Sequence, residues 1–238
     1  MEANLNTEES SKRDGPATHA GLIVVVCRRS DALRISYNEI MRVIAGTYRS
    51  RPLAAPKGLE TRPTSDRLRE TLFNVIAARV PEAKFADLYA GSGAVGIEAI
   101  SRGASEVFFA EKHNAALAAI RGNLRTLGIN GGFQVEAGGT AGLLKRLAGK
   151  QMDIVFLDPP YEEAEEYKRT LTTLGDASNE LLHADSLVIA EHTKKQPLQD
   201  RYGSLVRIRT KMQGDVVLSF YALQGEAGFR LRIESAAL

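Results

Sequence analysis

The stretch Asp87-Leu88-Tyr89-Ala90-Gly91-Ser92-Gly93-Ala94-Val95-Gly96 decides the fold, because it joins an apolar run to a glycine loop and then to a second apolar run. Residues 85–90 are typical of a buried strand, and residues 94–102 are typical of an apolar helix that ends at Gly103. Passage from a strand through a Gly-x-Gly-x-x-Gly loop into a helix is characteristic of α/β proteins with parallel sheets. The stretch therefore predicts a parallel sheet covered by helices.

Strands and helices alternate regularly after this loop. The further predicted strands are residues 107–110, 134–137, 153–157 and 187–190. The further predicted helices are residues 113–127, a short helix that ends near Leu147, and residues 162–174 and 179–183. Residues 204–211 and 215–223 are β-rich and flank the turn Met212-Gln213-Gly214, which predicts an antiparallel hairpin. We expect an α/β, Rossmann-like fold with a seven-stranded mixed sheet, a C-terminal antiparallel hairpin and a small N-terminal β/helix extension.

The segment before the glycine loop is strongly basic. Residues 41–80 carry eight basic and three acidic side chains, a net charge of +5, although the whole chain has a net charge of only +2. Residues 42–46 resemble a short strand, and the apolar spacing from Leu68 to Ile76 predicts an amphipathic helix to about Arg79. The segment is typical of a surface that faces a polyanion, although each single arginine can equally belong to a solvated face. The candidate RNA-contacting arginines are Arg42, Arg49, Arg51, Arg62, Arg67 and Arg69.

Composition excludes several classes of protein. The 238 residues are 44% hydrophobic and 25% charged, as in ordinary globular proteins. One cysteine, Cys27, cannot form a disulfide framework, and four dispersed histidines lack metal-ligand spacing, so we expect no metal site. The longest apolar run, residues 22–27, is much shorter than the roughly 20 residues that span a membrane. We therefore expect a cytoplasmic protein that is not bound to a membrane.

Four regions follow from these patterns. Residues 1–40 are expected to be disordered or a non-native N-terminal extension, because the segment that begins at Met41 is much more protein-like. Residues 41–80 form the basic segment and its helix, residues 81–225 form the α/β domain, and residues 226–238 form a tail.

A second motif follows the predicted strand 153–157. It consists of Asp158-Pro159-Pro160-Tyr161, which offers a carboxylate, a stiff turn whose carbonyls are free to accept hydrogen bonds, and an aromatic ring. Together these groups can grip a planar ring that carries an NH2 group. A rigid surface turn after a buried strand is the alternative interpretation.

The glycine loop alone does not identify the cofactor. Glu111 lies about 20 residues after the loop at the end of the next strand, where an acid binds ribose hydroxyls in dinucleotide sites. Asp87, however, places a negative charge inside the preceding strand, which benefits a cofactor with an ammonium or sulfonium group rather than a pyrophosphate. The candidate cofactor-binding residues are Asp87, Tyr89, Ala90, Gly91, Ser92, Gly93, Glu111 and Lys112.

Both motifs together resemble class I methyltransferases that methylate amino groups. The start of the basic segment (residues 41–46), Arg62-Pro63-Thr64 and the stretch 67–74 resemble more specifically the RsmD family, which methylates N2 of a guanine in 16S ribosomal RNA with S-adenosylmethionine. The resemblance runs from Met41 to about Leu223.

The resemblance implies roles for the candidate residues. Asp158, Pro159, Pro160 and Tyr161 would be catalytic, and the partner would be ribosomal RNA in an assembling or assembled small subunit, bound by a monomer. Two alternatives remain open: methylation of adenine N6 or cytosine N4 in RNA or DNA, and, more remotely, an NAD-dependent dehydrogenase. The residues Gly138-Gly139 stand where such sites commonly have an Asp or Asn for adenine, so that contact stays unassigned, with Glu136 or backbone groups as candidates.

Overall fold

The computed structural model describes residues 41–56, 65–160 and 164–224. Its centre is an eight-stranded sheet of order β3-β2-β1-β4-β5-β8-β7-β6. The strands are β1 Lys84–Asp87, β2 Glu106–Ala110, β3 Phe133–Glu136, β4 Met152–Leu157, β5 Leu182–Thr193, β6 Arg201–Tyr202, β7 Leu205–Gln213 and β8 Val216–Leu223. The first five strands run parallel, and β8, β7 and β6 add an antiparallel extension beside β5.

Helices cover both faces of the sheet. They are α1 Asp66–Val75, α2 Ala94–Ser101, α3 Asn114–Leu127, α4 Gly139–Leu147 and α5 Ala164–Leu174. One core cluster joins the sheet to α1, α2, α3 and the segment 41–53, and a second joins the opposite face to α4 and α5. Within the described parts of the chain, no helix has the length and apolar character needed to span a membrane.

The expected α/β mixed sheet with its C-terminal hairpin is confirmed, but it has eight strands where seven were predicted. The additional strand, Arg201–Tyr202, pairs with Val206 and Leu205 of β7 over two residues only. A two-residue strand carries no measurable alternation, so periodicity could not reveal it.

Residues 179–183 are not the predicted helix. A single 3-10 turn, Ala177–Asn179, is capped by the Asp176 side chain, and Glu180 follows in a left-handed conformation (φ 50°). The chain then enters β5 at Leu182. A residue with left-handed backbone angles cannot continue a right-handed helix, so the helical turn ends here. Strand β5 therefore begins before the apolar run 187–190 from which it was predicted.

Residues 42–46 form no strand either, and only an isolated bridge joins Arg42 to Pro52. The reason lies in the hydrogen bonds: the backbone N–H groups of Ile44 and Ala45 donate to the Glu98 carboxylate (2.7 and 3.0 Å) instead of to a neighbouring strand. The predictions for residues 1–40, Arg62, Tyr161 and 226–238 lie outside the described residues.

Candidate active site

Three carboxylates lie at neighbouring strand ends. Strand β1 lies between β2 and β4, with Asp87 in register with Phe109 on one side and Phe156 on the other. Glu111 and Asp158 each follow two residues beyond these partners, so all three acids lie at the carboxyl edge of the sheet. The negative charges of Asp158 and Glu111 both raise the pKa of Asp87, as expected for acids that lie near one another at this edge. This edge is where α/β folds bind ligands.

Asp87 is a buried carboxylate with a strongly perturbed pKa. Its side chain is almost fully buried, and its Oδ2 accepts a hydrogen bond from the Gly96 N–H at 3.0 Å, in the first turn of α2. Burial raises its pKa to about 7; the Gly96 hydrogen bond opposes this rise, and the negative charges of Asp158 and Glu111 add to it. No positive charge is among these causes of the pKa shift. A cationic ligand would therefore stabilise the charged form of Asp87.

The glycine loop is shaped by two glycines with different roles. At Gly91 (φ 54°) an added Cβ would meet nothing within 4 Å, so open space adjoins the backbone there. At Gly96 an added Cβ would overlap the Phe109 ring at 2.2 Å, so α2 can pack on β2 only without a side chain at this position. The loop therefore combines tight packing beneath it with room for a ligand above it.

Glu111 is held by the backbone around it. Its Oε2 accepts from the Gly91 N–H at 2.9 Å, and its Oε1 accepts from the Lys112 and His113 N–H groups at 2.7 and 2.8 Å. Three N–H donors fix the carboxylate at the end of β2. One of its roughly four lone-pair sites, on Oε2, is left to accept a hydrogen bond from a hydroxyl group.

The Tyr89 side chain is held by helix α5. Its hydroxyl bonds to Glu166 (3.0 Å) and Thr170 (2.8 Å) of α5, and burial raises its pKa. Its side chain therefore ties the loop to the second core cluster, and only its backbone remains a candidate for cofactor contact.

The region proposed for adenine is constrained by Glu136. This carboxylate accepts from the Gly138 N–H at 2.7 Å and pairs with Arg146 at 2.5 Å. A Cβ on Gly138 would approach Glu136 Oε1 to 2.9 Å, so a side chain at this position would crowd the carboxylate. A side chain at residue 138 would therefore require the Glu136 carboxylate to shift.

The motif Asp158-Pro159-Pro160 follows β4 as predicted. Asp158 is half-buried, Pro159 is buried and Pro160 is exposed. The carboxylate therefore lies at the boundary between the sheet and solvent, where a substrate can reach it. Tyr161, the fourth residue of this set, lies outside the described residues.

Hydrogen bonds join the segment 41–56 to the glycine loop. The Ser92 hydroxyl donates to the Met41 sulfur at 3.4 Å. The buried Asn123 amide donates to the Ser92 carbonyl (3.0 Å) and exchanges two hydrogen bonds with the Ala54 backbone (2.8 and 3.0 Å). These hydrogen bonds therefore hold the segment 41–56 in a fixed position against the glycine loop.

Glu98 is a second anchor of that segment. Its side chain is fully buried, accepts the two N–H groups of Ile44 and Ala45, and pairs with Arg102 at 2.7 Å. Sequence reasoning missed both Glu98 and Asn123. A detectable signal existed, because each is a polar residue on an otherwise apolar helix face.

The candidate RNA-binding arginines divide into two groups. Arg42, Arg49, Arg51 and Arg67 are exposed. Arg69 is a correction: it is fully buried, pairs with Asp66 at 2.6 Å and donates to the Arg42 carbonyl. It cannot contact RNA in this conformation, and its role is to fix the start of α1 against residue 42. Within the described residues, no group of acids, histidines or cysteines is arranged to hold a metal ion.

The family described as Conserved hypothetical protein 95 matches residues 41–222. The chain belongs to this family. Ribosomal RNA small subunit methyltransferase D of Escherichia coli strain K12 is 33% identical over 189 residues, which is 79% of this chain and 93% of that protein. The protein of the same name from Haemophilus influenzae is 34% identical, over 66% of this chain and 81% of that protein. These relatives confirm the family predicted from the sequence, and they do not favour a dehydrogenase.

Solved structures share the fold. The yhhF protein of Escherichia coli is 32% identical, with a TM-score of 0.67 over 78% of this chain and 98% of that chain. SMU.776, whose structure contains SAH, is 15% identical, with a TM-score of 0.52 over 66% of this chain and 48% of that chain. The match to the family begins at Met41, where the described structure also begins.

Proposed function

We propose that the protein transfers a methyl group from S-adenosylmethionine to the exocyclic N2 amine of a guanine in small-subunit ribosomal RNA. The observation that carries this proposal is the convergence of Asp87, Glu111 and Asp158 at one sheet edge beside an open glycine loop. The small-subunit RNA is suggested by the curated relatives, which bear the name of a ribosomal RNA small subunit methyltransferase.

The donor groups of the site fit S-adenosylmethionine. Buried Asp87 favours a cationic ligand, Glu111 is held in place to accept a hydrogen bond from a ribose hydroxyl, and Gly91 leaves space for close approach. A pyrophosphate would instead bring further negative charge towards three carboxylates. When bound, the cofactor supplies a methyl carbon made electrophilic by a positively charged sulfur.

Asp158 and the Pro159 carbonyl are assigned to the substrate amine. Each can accept one amino hydrogen, which directs the nitrogen lone pair towards the methyl group. The nitrogen becomes positive as the N–C bond forms and the C–S electron pair returns to sulfur, and the Asp158 carboxylate stabilises that charge. The extra amino proton then leaves to Asp158 or to water, so a strong base is not required.

The exposed arginines of the segment 41–56, together with Arg67, are assigned to the RNA phosphates. An exocyclic amine inside a helix cannot reach this edge, so the target base must be unstacked in a loop or flipped out. The monomeric state, the cytoplasmic location and the choice between naked RNA and an assembled subunit remain predictions within this proposal.

The test is methyl transfer followed by nucleoside analysis. Purified protein, labelled S-adenosylmethionine and small-subunit RNA or subunits that lack the modification should yield N2-methylguanosine at one position. N6-methyladenosine or N4-methylcytidine would replace the proposed target with one of the alternatives. Absence of transfer to any RNA, with Asp158 intact and the cofactor bound, would overturn the proposal.

A further inference from the structure

The C-terminal sheet extension carries basic side chains at the same edge as Asp158. Lys194 and Lys195 follow β5, and Arg209 and Lys211 lie on β7; we call these four residues the hairpin basic surface. Lys194, Lys195 and Lys211 are exposed and Arg209 is half-exposed, and Asp215 is the acid of the adjoining turn. Four cations and one anion give this surface a net charge of +3.

The strand register places Lys211 level with Asp158. Leu157 pairs with Ala190, so Asp158 is level with Glu191, which pairs with Leu218, which in turn pairs with Lys211. Three strand spacings separate β4 from β7, which is about 14 Å. Lys211 is therefore level with the proposed catalytic carboxylate but three strands away, a distance that a few nucleotides of RNA can span.

Arg209 and Lys211 also lie on the sheet face that bears α1. They pair with Phe220 and Leu218, which belong to the core cluster that contains the segment 41–53 and α1. The face that presents the exposed N-terminal arginines thus also presents these two cations further along the sheet.

The hairpin basic surface is not explained by internal ion pairs. In the described residues, Arg207 of the same strand pairs with Asp200, whereas no ion pair involves Lys194, Lys195, Arg209 or Lys211. Arg209 and Lys211 lie on a stretch of β7 that β6 leaves unpaired, because β6 pairs only with Leu205 and Val206.

We infer that the hairpin basic surface is a second RNA-binding site, which holds the backbone phosphates that flank the target nucleotide on the side opposite the N-terminal segment. This inference rests on the proposed function, since it assigns a further part of the same substrate. Phosphate contacts of this kind fix the position of a strand without reading its sequence. Bound between two basic surfaces, the target base is presented to Asp158 from both sides.

The test replaces Lys194, Lys195 and Lys211 with Gln together. The matched control replaces Lys84, Lys145 and Lys150 with Gln; these exposed lysines lie at the amino ends of β1 and β4 and in the last turn of α4, so the same charge is removed at the opposite edge. Binding of a labelled small-subunit RNA transcript is measured from 0.05 to 0.3 M salt. We expect the hairpin variant to lose at least tenfold in affinity at 0.1 M salt, and the slope of log K against log salt to fall by about 2, since each lost contact removes about 0.7.

The outcomes separate this inference from the proposed function. Wild-type protein that binds the cofactor but neither binds nor methylates RNA would refute the proposed function, and this inference with it. Wild-type RNA binding with an unchanged slope in the hairpin variant, or an equal loss in the control, would refute the inference alone. Binding to assembled subunits that is lost in Met212→Ser but not in the lysine variant would assign the surface to a protein partner instead, because Met212 is 64% exposed.

Discussion

Replacement of Asp87 by Asn tests the electrostatics of the proposed cofactor site most directly. Burial raises the pKa of this carboxyl from 3.8 to about 7. Between these values the folded protein keeps a proton that the unfolded chain has lost, so the free energy of unfolding falls as pH rises from about 4 to about 7. A difference of about three pKa units corresponds to about 4 kcal/mol, which is the cost of the buried charge above pH 7.

Asn at position 87 keeps an oxygen that can accept the Gly96 N–H and removes the titration. The cofactor-free variant should therefore be more stable than wild type at pH 8, by as much as about 4 kcal/mol, and the difference should vanish near pH 4. Urea unfolding at both pH values measures this. The advantage at high pH has the opposite sign to the usual effect of a mutation in a packed core.

The same substitution should weaken cofactor binding and change its pH dependence. A bound cation lowers the pKa of Asp87, so wild-type affinity for S-adenosylmethionine should fall about tenfold from pH 8 to pH 6, as the free site gains a proton. The Asn variant should bind more weakly and with a flatter profile by calorimetry. Parallel pH profiles for the two proteins, or a variant destabilised equally at pH 4 and pH 8, would refute the reasoning.

Three further variants test separate parts of the protein. Asp158→Ala should abolish methyl transfer while cofactor affinity stays within a few fold, because the residue is assigned to the substrate amine; wild-type rates would contradict that role. Glu98→Ala leaves two backbone donors and Arg102 without their partner. It should lower the free energy of unfolding by about 3–5 kcal/mol, as measured by urea titration. A loss under about 1 kcal/mol would show that water replaces the carboxylate. Charge reversal at Arg49 and Arg51 together should weaken RNA binding and flatten its salt dependence, and unchanged binding would return both to solvated surface.

Much of the fold was predictable because its signals are local. Helix α3 ends at Gly128, the glycine loop follows β1, and the Asp-Pro-Pro motif follows β4, and each of these is written in a few adjacent residues. The parallel sheet itself follows from the alternation of such units. The sequence alone therefore places the acids at the ends of neighbouring strands close together.

The errors concern contacts between residues far apart in the chain. Arg69 was interpreted as an exposed cation, but its position on α1 turns it inward to Asp66 and the backbone of residue 42. Residues 42–46 have strand-like composition, yet Glu98, more than 50 residues later, takes their backbone donors. Neither outcome is encoded in local periodicity, because both depend on which helix face meets the segment.

The anchors of the segment 41–56 have a consequence for how the protein is made. During synthesis this basic segment emerges before Glu98 and Asn123, and Asn123 is added 82 residues after Met41. At about 5–20 residues per second, roughly 4–16 s pass between the addition of Met41 and that of Asn123. Throughout that interval a cationic nascent chain lies undocked beside the ribosome that is translating it, which is itself built from the type of RNA that the finished protein is proposed to modify.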